Sequence, residues 1–456
     1  MTMAQAILSV RFGMGRSPYM HDPDDAGVLL DRLSGPDDMA ARYPVPRFES
    51  VYPAAAEIRQ LFRDYRQRND EDARKAGLRL RRRLHAEHRR LDRVALARAL
   101  DTADGLRERL ALFWADHFTV IGKGGIFRHA VPLYVEEAIR PHVAGRFADM
   151  LRAVATHPMM LFYLDQAASV GPGSEFARRR PGRGLNENLA RELLELHTLG
   201  VDGAYTQADV RQLAELLAGL TATAAGGTRF DPRRGEPGAE AVLGRRYGGA
   251  LPMVRDIHGA LEDLAVHPDT ARHVCRKLCA HFVADAPDDQ LVEHVTARYA
   301  ATGGDLAAVY AALLEHPAAT AAPLTKARQP WDFVAAGLRA LGMQGERMAA
   351  TPARPMRRFV RGPLRRMGQD WLRPTGPDGW PEEAAHWFTP QGLAGRIGWA
   401  MAVGEMPGLP LPDPRLFVET ALGPLASERT RFAARAAETR AEGVGLVLLS
   451  PQFQRR

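Results

Sequence analysis

Cysteine is scarce in this chain, and its scarcity limits the kinds of site that the chain can build. The 456 residues contain only Cys275 and Cys279, which cannot form a disulfide framework and suit a reducing compartment. They stand four residues apart in a helical pattern, a spacing that could pair two thiolates. Because no second cysteine or histidine pair follows at a zinc-site spacing, we predict two small buried side chains instead.

Long apolar runs are also missing. No stretch approaches the roughly 18 consecutive apolar residues that a membrane-spanning helix needs, so we expect no membrane insertion. The first residues, MTMAQAILSVRFG, lack the charged start, the long apolar centre and the cleavage site of a signal peptide. We therefore expect a cytoplasmic protein.

The familiar motifs of several enzyme classes are absent as well. The chain has no Walker A loop, no GxGxxG after a strand, no HExxH, no GxSxG and no EF-hand loop. These absences argue against a nucleotide-dependent enzyme, a serine hydrolase and a zinc protease of the HExxH type.

The positive charge is modest for a chain of this length. The formal net charge is +7, and the densest basic run, residues 74–93, has leucines at helical spacing and no interleaved aromatic residues. No nucleic-acid-binding motif accompanies it, so we predict a solvated basic helix and no nucleic-acid partner. A second arginine-rich segment, near Trp371 and Trp380, is either an acidic-ligand surface or a linker that crosses the core. Its arginines are Arg357, Arg358, Arg365 and Arg366.

The chain does contain one dense run of carboxylates and amides on a recognisable helix, NENLARELLELHTLG. We call residues 186–200 the Asn-Glu helix. Asn186 can serve as N-cap, its side-chain oxygen accepting a backbone N–H of the first turn, and Gly200 suits the position after the last turn. The apolar residues at helical spacing predict the buried face: Leu189, Leu193 and Leu196.

The polar residues of the Asn-Glu helix also cluster. At 100° per residue, Asn188, Glu192 and Glu195 lie within about 60° of one another. Glu187, Arg191 and Glu195 form a ladder at i, i+4 and i+8, so one guanidinium could pair with a carboxylate on either side. One interpretation is a solvated face with ordinary helix salt bridges. The other is a cluster turned into a cleft, where it could bind a metal or move protons.

Histidines have mostly structural interpretations in this sequence. His197 lies about 160° round the wheel from Glu195, so one ion could not easily touch both. His157, His267 and His316 each stand directly before a proline, which predicts the start of a helix. His117 lies in the apolar stripe of LRERLALFWADHF and is either a core histidine bonded to a carbonyl or a ligand or base aimed at a cleft.

The Asn-Glu helix is one of several pieces that together resemble a known bacterial family. The pieces are RFGMGRSP, FWADHF, IRPHVAGRFADML, THPMMLFYLD, NENLARELLELHTLGVDGAYTQADV, HPDTARHVCRKL, GGDLAAVYAALLEHP, MGQDWLRPTGPDGWP and LLSPQFQRR. They closely resemble the domain-of-unknown-function family 1800 and span nearly the whole chain.

The resemblance implies a helical protein often encoded beside a sulfatase-like protein, which is its implied partner. Asp165 matches the YLD of the family. Where relatives often carry His and Lys in an H-[DE]-x-G-x-K run, this chain has Gly235 and Glu240, so any chemistry carried by those two residues is lost or changed here.

Periodicity predicts an all-α fold, a large multi-helix globular domain with a small irregular or β-hairpin insertion. We expect a single domain over residues 1–456. Its parts, in order, are an irregular wrap (1–53), a helical core with the Asn-Glu helix (54–225), a turn-rich insertion (226–252), a helical part (253–345), an Arg/Pro/Gly-rich segment (346–390) and C-terminal helices (391–456).

Two functional hypotheses follow. The first is a metal-assisted or acid/base enzyme with a site between helices. Its candidate catalytic residues are Glu192, Glu195, His117, Arg191 and Tyr205. Its candidate ligands for a divalent metal are Glu192, Glu195, His117, Asn188 and Asp165, although the Glu-x-x-His signature of di-iron bundles is absent. The second hypothesis is a non-catalytic scaffold for the sulfatase-like partner. The sequence leaves the oligomeric state open.

Overall fold

Helices make up almost all of the regular structure in the computed structural model of the protein. The structure describes residues 2–123, 127, 130–180, 182–223 and 226–456. Within these ranges the strands form only two small antiparallel hairpins, which confirms the prediction of an all-α fold with a small β insertion. None of the helices in the same ranges is long and apolar enough to cross a membrane.

The N-terminal segment enters the core directly. Helix α1 (Met3–Ile7) continues into a π-helix (Leu8–Phe12), and residues 6–15 are buried. The sequence predicts an irregular surface wrap here, and the structure corrects this. The Arg11 guanidinium donates to three backbone carbonyls of the segment 318–321. Because these hydrogen bonds engage both of its terminal nitrogens, Arg11 can be buried together with the apolar residues on either side of it.

A long helical hairpin follows. Two short helices, α2 (Ala26–Ser34) and α3 (Asp38–Arg42), lead to α4 (Phe48–Arg68) and α5 (Glu71–Asp101). Asn69 reverses the chain in the left-handed conformation, with φ 52°, and the Asp70 carboxylate accepts two backbone N–H groups at the start of α5. Most arginines of the basic run lie exposed on α5, so the predicted solvated basic helix is confirmed.

The next helices, apart from the short helix Glu175–Arg179, which has no buried residue, build the first of two large hydrophobic core clusters. They are α6 (Gly105–His117), α7 (Val131–Tyr134), α8 (Phe147–Thr156), α9 (Pro158–Tyr163), α10 (Glu175–Arg179), α11 (Asn188–Glu192) and α12 (Gln207–Leu217). Shorter π and 3-10 segments join them at Val135–Ile139, Arg140–His142, Gln166–Ala168 and Leu193–His197. The cluster is completed by α13 (Val254–Ala265), α14 (Pro268–Phe282), α15 (Asp289–Thr302) and α16 (Leu306–Glu315).

The β insertion lies between α12 and α13. Strand β1 (Leu220–Ala222) pairs with β2 (Thr228–Phe230), and β3 (Gly238–Val242) pairs with β4 (Arg245–Gly249). Leu243 and Gly244 join β3 to β4 with φ values of 49° and 75°, the positive pair that a tight two-residue hairpin turn requires. The predicted hairpin near residues 228–250 is therefore present.

The C-terminal helices form the second core cluster, together with the end of α5. They are α17 (Pro330–Ala340), α18 (Gly345–Ala350), α19 (Ala353–Met356), α20 (Gly362–Arg366), α21 (Ala384–Trp387), α22 (Pro390–Ala402), α23 (Pro414–Ala421), α24 (Glu428–Ala436) and α25 (Arg440–Leu448). Short π and 3-10 segments lie at Pro317–Thr320, Arg357–Arg361, Val403–Glu405 and Gly423–Leu425.

Two local predictions about histidine and cysteine are confirmed. His157, His267 and His316 each begin a helix, and each Nδ1 accepts the backbone N–H two residues later, at 3.1 to 3.2 Å. Cys275 and Cys279 are buried and unpaired, and burial raises the pKa of Cys279 to about 12. Both thiols are therefore protonated at neutral pH and act as small core residues.

A buried ion cluster joins the two core clusters. The Asp332 carboxylate of α17 lies 3.0 Å from an Arg109 nitrogen of α6, 3.3 Å from Arg456 Nε and 3.7 Å from an Arg328 nitrogen. Burial alone would raise the pKa of Asp332, but the three positive charges outweigh it and lower the pKa to about 2. Asp332 is therefore ionised at neutral pH and balances charge from three parts of the chain.

We predict that Asp332→Asn strongly destabilises the protein. The substitution keeps the shape of the side chain but leaves three buried guanidinium groups without their anion, which typically costs about 3–5 kcal/mol. Urea unfolding at pH 7 measures the loss. Asp289→Asn is the control, because Asp289 pairs with Arg276 on the exposed surface and its loss should change little. Equal effects of the two substitutions would contradict this account.

Candidate functional site

The Asn-Glu helix begins one residue later than the sequence predicts and ends differently. Asn186 Oδ1 accepts the backbone N–H of Asn188 at 2.9 Å, which is the predicted bond to the first turn, although Glu187 and not Asn186 occupies the N-cap position. Helix α11 then gives way to the π-helix Leu193–His197, whose hydrogen bonds join residues five apart. Such wide turns are rare and frequently lie at functional sites.

The wide turn changes which side chains are buried. Leu189 and Leu193 are buried as predicted, but Leu196 is only partly buried, and Leu194 takes its place in the core. The reason is geometric: a π-helix has more than four residues per turn, so a wheel drawn at 100° per residue fails beyond Leu193.

Two histidines from other helices bind the end of the π-helix. His117 Nε2 lies 3.2 Å from the carbonyl oxygen of His197, and His273 Nε2 lies 3.2 Å from that of Leu196. Because helix-end carbonyls lack a donor within the helix, we assign both imidazoles as donors. Gly200, with φ 90°, allows the approach, since a Cβ there would lie 2.8 Å from His273 Nδ1.

These histidines are neutral at physiological pH. Burial, aided by the charge of Lys277, lowers the pKa of all three imidazoles in this region. The pKa of His117 falls well below its usual range, the pKa of His197 falls to about 3 and the pKa of His273 falls to about 4. The Nδ1 atoms of His117 and His197 are buried and have no hydrogen-bond partner among the described residues. His117 therefore has the geometry of the predicted core histidine bonded to a carbonyl.

The predicted ladder of charges on the Asn-Glu helix is present. An Arg191 nitrogen lies 3.2 Å from Glu195 and another lies 3.5 Å from Glu187, and Arg191 also donates to Gln207. The Tyr205 hydroxyl donates to the Val201 carbonyl oxygen at 3.4 Å, and burial and then the charge of Glu195 raise the pKa of Tyr205. Arg191 thus holds Glu195 in place, and Tyr205 lies near it.

Glu192 has a different environment. It is partly buried, and no hydrogen bond or ion pair from any residue that the structure describes engages its carboxylate. Burial, the charge of Glu195 and the charge of Asp378 together raise the pKa of Glu192 to about 7. Burial together with Glu192 and Asp378 raises the pKa of the nearby Tyr163 to about 12. At neutral pH Glu192 exists in both its protonated and its ionised form.

Asp116, one residue before His117, is a second such carboxyl group. Its Oδ1 accepts the backbone N–H of Trp380 at 2.9 Å. Burial, against the opposing effect of this hydrogen bond, raises the pKa of Asp116 to about 7, and the charge of Glu382 adds to the rise. Gly379 makes the contact possible, because its φ is 83° and a Cβ there would lie 2.7 Å from the Asp116 carbonyl oxygen.

Lys277 of α14 supplies the positive charge near these groups. Burial lowers the pKa of its amine, against the opposing charges of Asp116, Glu382 and Asp378. The amine makes no hydrogen bond or ion pair with the part of the chain that the structure describes. Asp378 connects these three titratable groups, because its charge affects the pKa values of Glu192, Asp116 and Lys277 alike.

Asp116 also lines a small cavity between the two core clusters. The cavity holds about 80 Å³, room for a few waters or one small group of a substrate. Trp331 and Trp371 stack along its wall with ring centroids 4.7 Å apart, and Trp380 lines it as well. His281 reaches the same cavity and is bonded through Nδ1 to Glu382 at 2.5 Å.

The predicted metal ligands are not brought together. Among the residues that the structure describes, no group of three His, Cys, Asp or Glu side chains is placed to hold a metal ion. Asp165 is exposed and pairs with Lys123 Nζ at 2.6 Å, Asn188 is exposed, and His117 is occupied at the helix end. The set Glu192, Glu195, His117, Asn188 and Asp165 stays a prediction, and its described side chains do not form a group of three or more His, Asp or Glu ligands.

Of the predicted catalytic residues, Glu192 is the one whose carboxyl pKa is raised to about 7. Glu195, Arg191 and Tyr205 lie on one side of it. Asp116, Lys277 and Asp378 are not among the residues predicted from the sequence. Each lies inside a quoted family-like piece: FWADHF, HPDTARHVCRKL and MGQDWLRPTGPDGWP. The sequence does contain one signal for Asp116, because it is a charged residue at the edge of an apolar stripe.

Comparison with known proteins identifies the family. The family model described as "Protein of unknown function (DUF1800)" matches residues 9–455. The chain belongs to DUF1800. No curated protein and no solved structure matches it significantly. The DUF1800 match includes α6, α11, α14 and the segment around Trp380, so every part of the site described above lies inside the family region.

The departure from the resembled pattern has a structural consequence. Glu240 of β3 is buried and shares a hydrogen bond with the Glu215 carboxyl group. Burial and the charge of Glu215 raise the pKa of Glu240 to about 7. A lysine at this position, as in the pattern, would instead meet Glu215 as an ion pair. Gly235 packs tightly, since a Cβ there would lie 2.7 Å from Pro252, so this position does not admit a larger side chain without movement.

We predict that Asp116→Asn makes stability less dependent on pH. A raised pKa means that the folded protein keeps a proton that the unfolded chain loses between about pH 4 and 7, so wild-type stability falls as pH rises through that window. The variant, which has no charge to bury, should gain about 2.5 kcal/mol over wild type between pH 5 and pH 8, because about two pH units of that window lie below the folded pKa. Urea unfolding at both pH values measures this. Asp31→Asn, on an exposed position of α2, should show no such trend.

A second substitution tests the carboxyl pair in the insertion. Glu240→Lys should stabilise the protein at pH 8 by on the order of 1–3 kcal/mol, because at that pH the wild-type pair has mostly lost its proton and the two carboxylates repel, whereas a lysine forms an ion pair with Glu215. The gain should shrink at pH 5, where the wild-type pair holds its proton. Thermal unfolding at the two pH values measures the change. Glu240→Gln is the control: it should remove the pH dependence without adding the ion pair. A loss of stability at pH 8 would contradict the contact.

Proposed function

We propose that this DUF1800 protein is an enzyme whose reaction depends on proton transfer by Asp116 and Glu192. The observation that carries the proposal is the pair of carboxyl groups with pKa values raised to about 7, on helices α6 and α11, both within reach of the Asp378 charge. A general acid or base works best when its pKa lies near the working pH, because both forms are then available.

The surroundings support different roles for the two carboxyl groups. Asp116 is held by the Trp380 N–H and lines the tryptophan-walled cavity, so it suits contact with the reacting group of a substrate. Glu192 has no partner among the described residues and is free to exchange a proton. Lys277, an amine whose pKa burial lowers, can stabilise negative charge that develops beside Asp116.

The remaining predicted residues have positioning roles in this proposal. Glu195, held by its ion pair with Arg191, keeps the pKa of Glu192 high through its charge. His117 holds the end of the π-helix that follows Glu192. The second hypothesis from the sequence, a scaffold for a sulfatase-like partner, stays a prediction, and no contact in the structure favours it over the enzyme.

The first test measures the two carboxyl groups directly. We expect a carboxyl-carbon NMR titration of the labelled protein to show three groups that titrate near pH 7: Asp116, Glu192 and Glu240. One should disappear in Asp116→Asn and another in Glu192→Gln, while the signal of Glu240 stays in both variants. The control Glu293→Gln, on an exposed position of α15, should remove none of them. If Asp116 and Glu192 titrate near pH 4, the proposed proton transfer has no physical basis.

The second test follows turnover. We expect wild type to act on a member of a panel of small esters, amides, glycosides or phosphate esters, with a maximum near pH 7. Each of the two variants should lower the rate by about 100-fold or more while the protein stays folded. Turnover that survives both substitutions would overturn the proposal. A sulfatase-like partner that binds wild type and both variants equally, with no turnover by any of them, would favour the scaffold.

A further inference from the structure

A second cavity is lined mainly by arginine. It holds about 510 Å³ and lies between α5 and the helical segment 353–366. We call it the arginine groove. Its arginines are Arg89, Arg93, Arg354, Arg357, Arg361 and Arg365. It shares no lining residue with the cavity at Asp116, and nothing in the proposed function uses it.

The arginines form two facing rows. Arg89 and Arg93 stand four residues apart on α5. The other four follow one another at spacings of three, four and four residues along α19, the π-helix Arg357–Arg361 and α20. These spacings bring side chains to one face of a helix, where like charges repel. The structure thus concentrates positive charge on both walls of the groove.

Few negative charges of the protein balance these rows. The only acidic residues that line the groove, within the part of the chain that the structure describes, are Asp92 and Asp370. Asp92 lies 3.5 Å from Arg361, while the other five arginines have no carboxylate within ion-pair distance among the described residues. Arg93 Nε is buried and has no hydrogen-bond acceptor there. Six arginines against two aspartates leave a net charge of four in one cavity.

We propose that the arginine groove binds a ligand that carries several linked phosphate groups. Guanidinium groups donate paired hydrogen bonds to phosphate oxygens, and several of them together neutralise a multiply charged anion. The row from Arg354 to Arg365 extends at most about 16 Å, its length at the 1.5 Å per residue of an α-helix. A single phosphate touches only a small part of that length, so the length and charge of the groove fit a chain of phosphates.

The lining favours a small phosphate compound over a nucleic acid. Proteins that bind single strands combine positive charge with aromatic side chains on which the bases stack. No aromatic residue is among those that line the groove. The ligand is therefore recognised through its phosphates, which are either free or attached to an organic group.

The test compares two matched double variants of the full chain. Arg357→Gln/Arg365→Gln removes two charges from the groove. Arg358→Gln/Arg366→Gln removes two charges from the adjacent positions of the same segment, which do not line it. By isothermal titration calorimetry at low salt, we expect wild type to bind inorganic tripolyphosphate and to bind orthophosphate far more weakly. The groove variant should bind tripolyphosphate at least 10-fold more weakly than wild type, and the control variant within about twofold of it.

Further outcomes show whether the ligand carries an organic group and whether binding is specific to the groove. Adenosine triphosphate that binds more tightly than tripolyphosphate, and loses affinity in the groove variant alone, would support the proposal and assign an attached organic group to the ligand. Equal binding of the two would support it with free phosphates sufficient. Equal losses in the two double variants would overturn the proposal, because the attraction would then be general to the basic surface. Absence of tripolyphosphate binding by wild type, or tighter binding of an oligonucleotide in the same groove, would also overturn it.

Discussion

The Asp332 carboxylate neutralises three arginine side chains that the fold brings into its interior. Arg109 comes from α6 in the first core cluster, and Arg328 and Arg456 come from segments that flank the second. Buried charges of one sign are tolerated only when an opposite charge lies against them. The packing of the two core clusters therefore depends on this carboxylate, and so does the position of α6, the helix that carries Asp116 and His117.

The end of the Asn-Glu helix depends on a second constraint of the same kind. A π-helix leaves its last carbonyls without donors, and two neutral imidazoles, His117 and His273, satisfy them. The donors come from α6 and α14, so these helices are locked against the turn that follows Glu192. Asp116 and Lys277 lie on the same two helices. The contacts that hold the wide turn thus also bring the titratable groups of the site near one another.

Predictions from the sequence succeeded where the interaction is local. The Asn186 bond to the first turn, the histidine caps before proline and the ladder of Arg191 all join residues within five positions of one another, and side-chain geometry on a helix determines such contacts. Predictions failed where the contact is distant. Arg11 is buried through carbonyls about 310 positions away.

Sequence alone determined the helical class, the family, the β insertion and the Asn-Glu helix, because periodicity, capping residues and motif pieces are properties of neighbouring residues. Tertiary structure alone decided which carboxyl groups have a raised pKa. Asp116 and Glu192 are ordinary acidic residues in the sequence. Their pKa values rise because the fold removes water from both carboxyl groups and places them near Asp378. Asp378 is more than 180 positions away from either in the sequence. Burial and proximity of this kind exist only once the helices have packed.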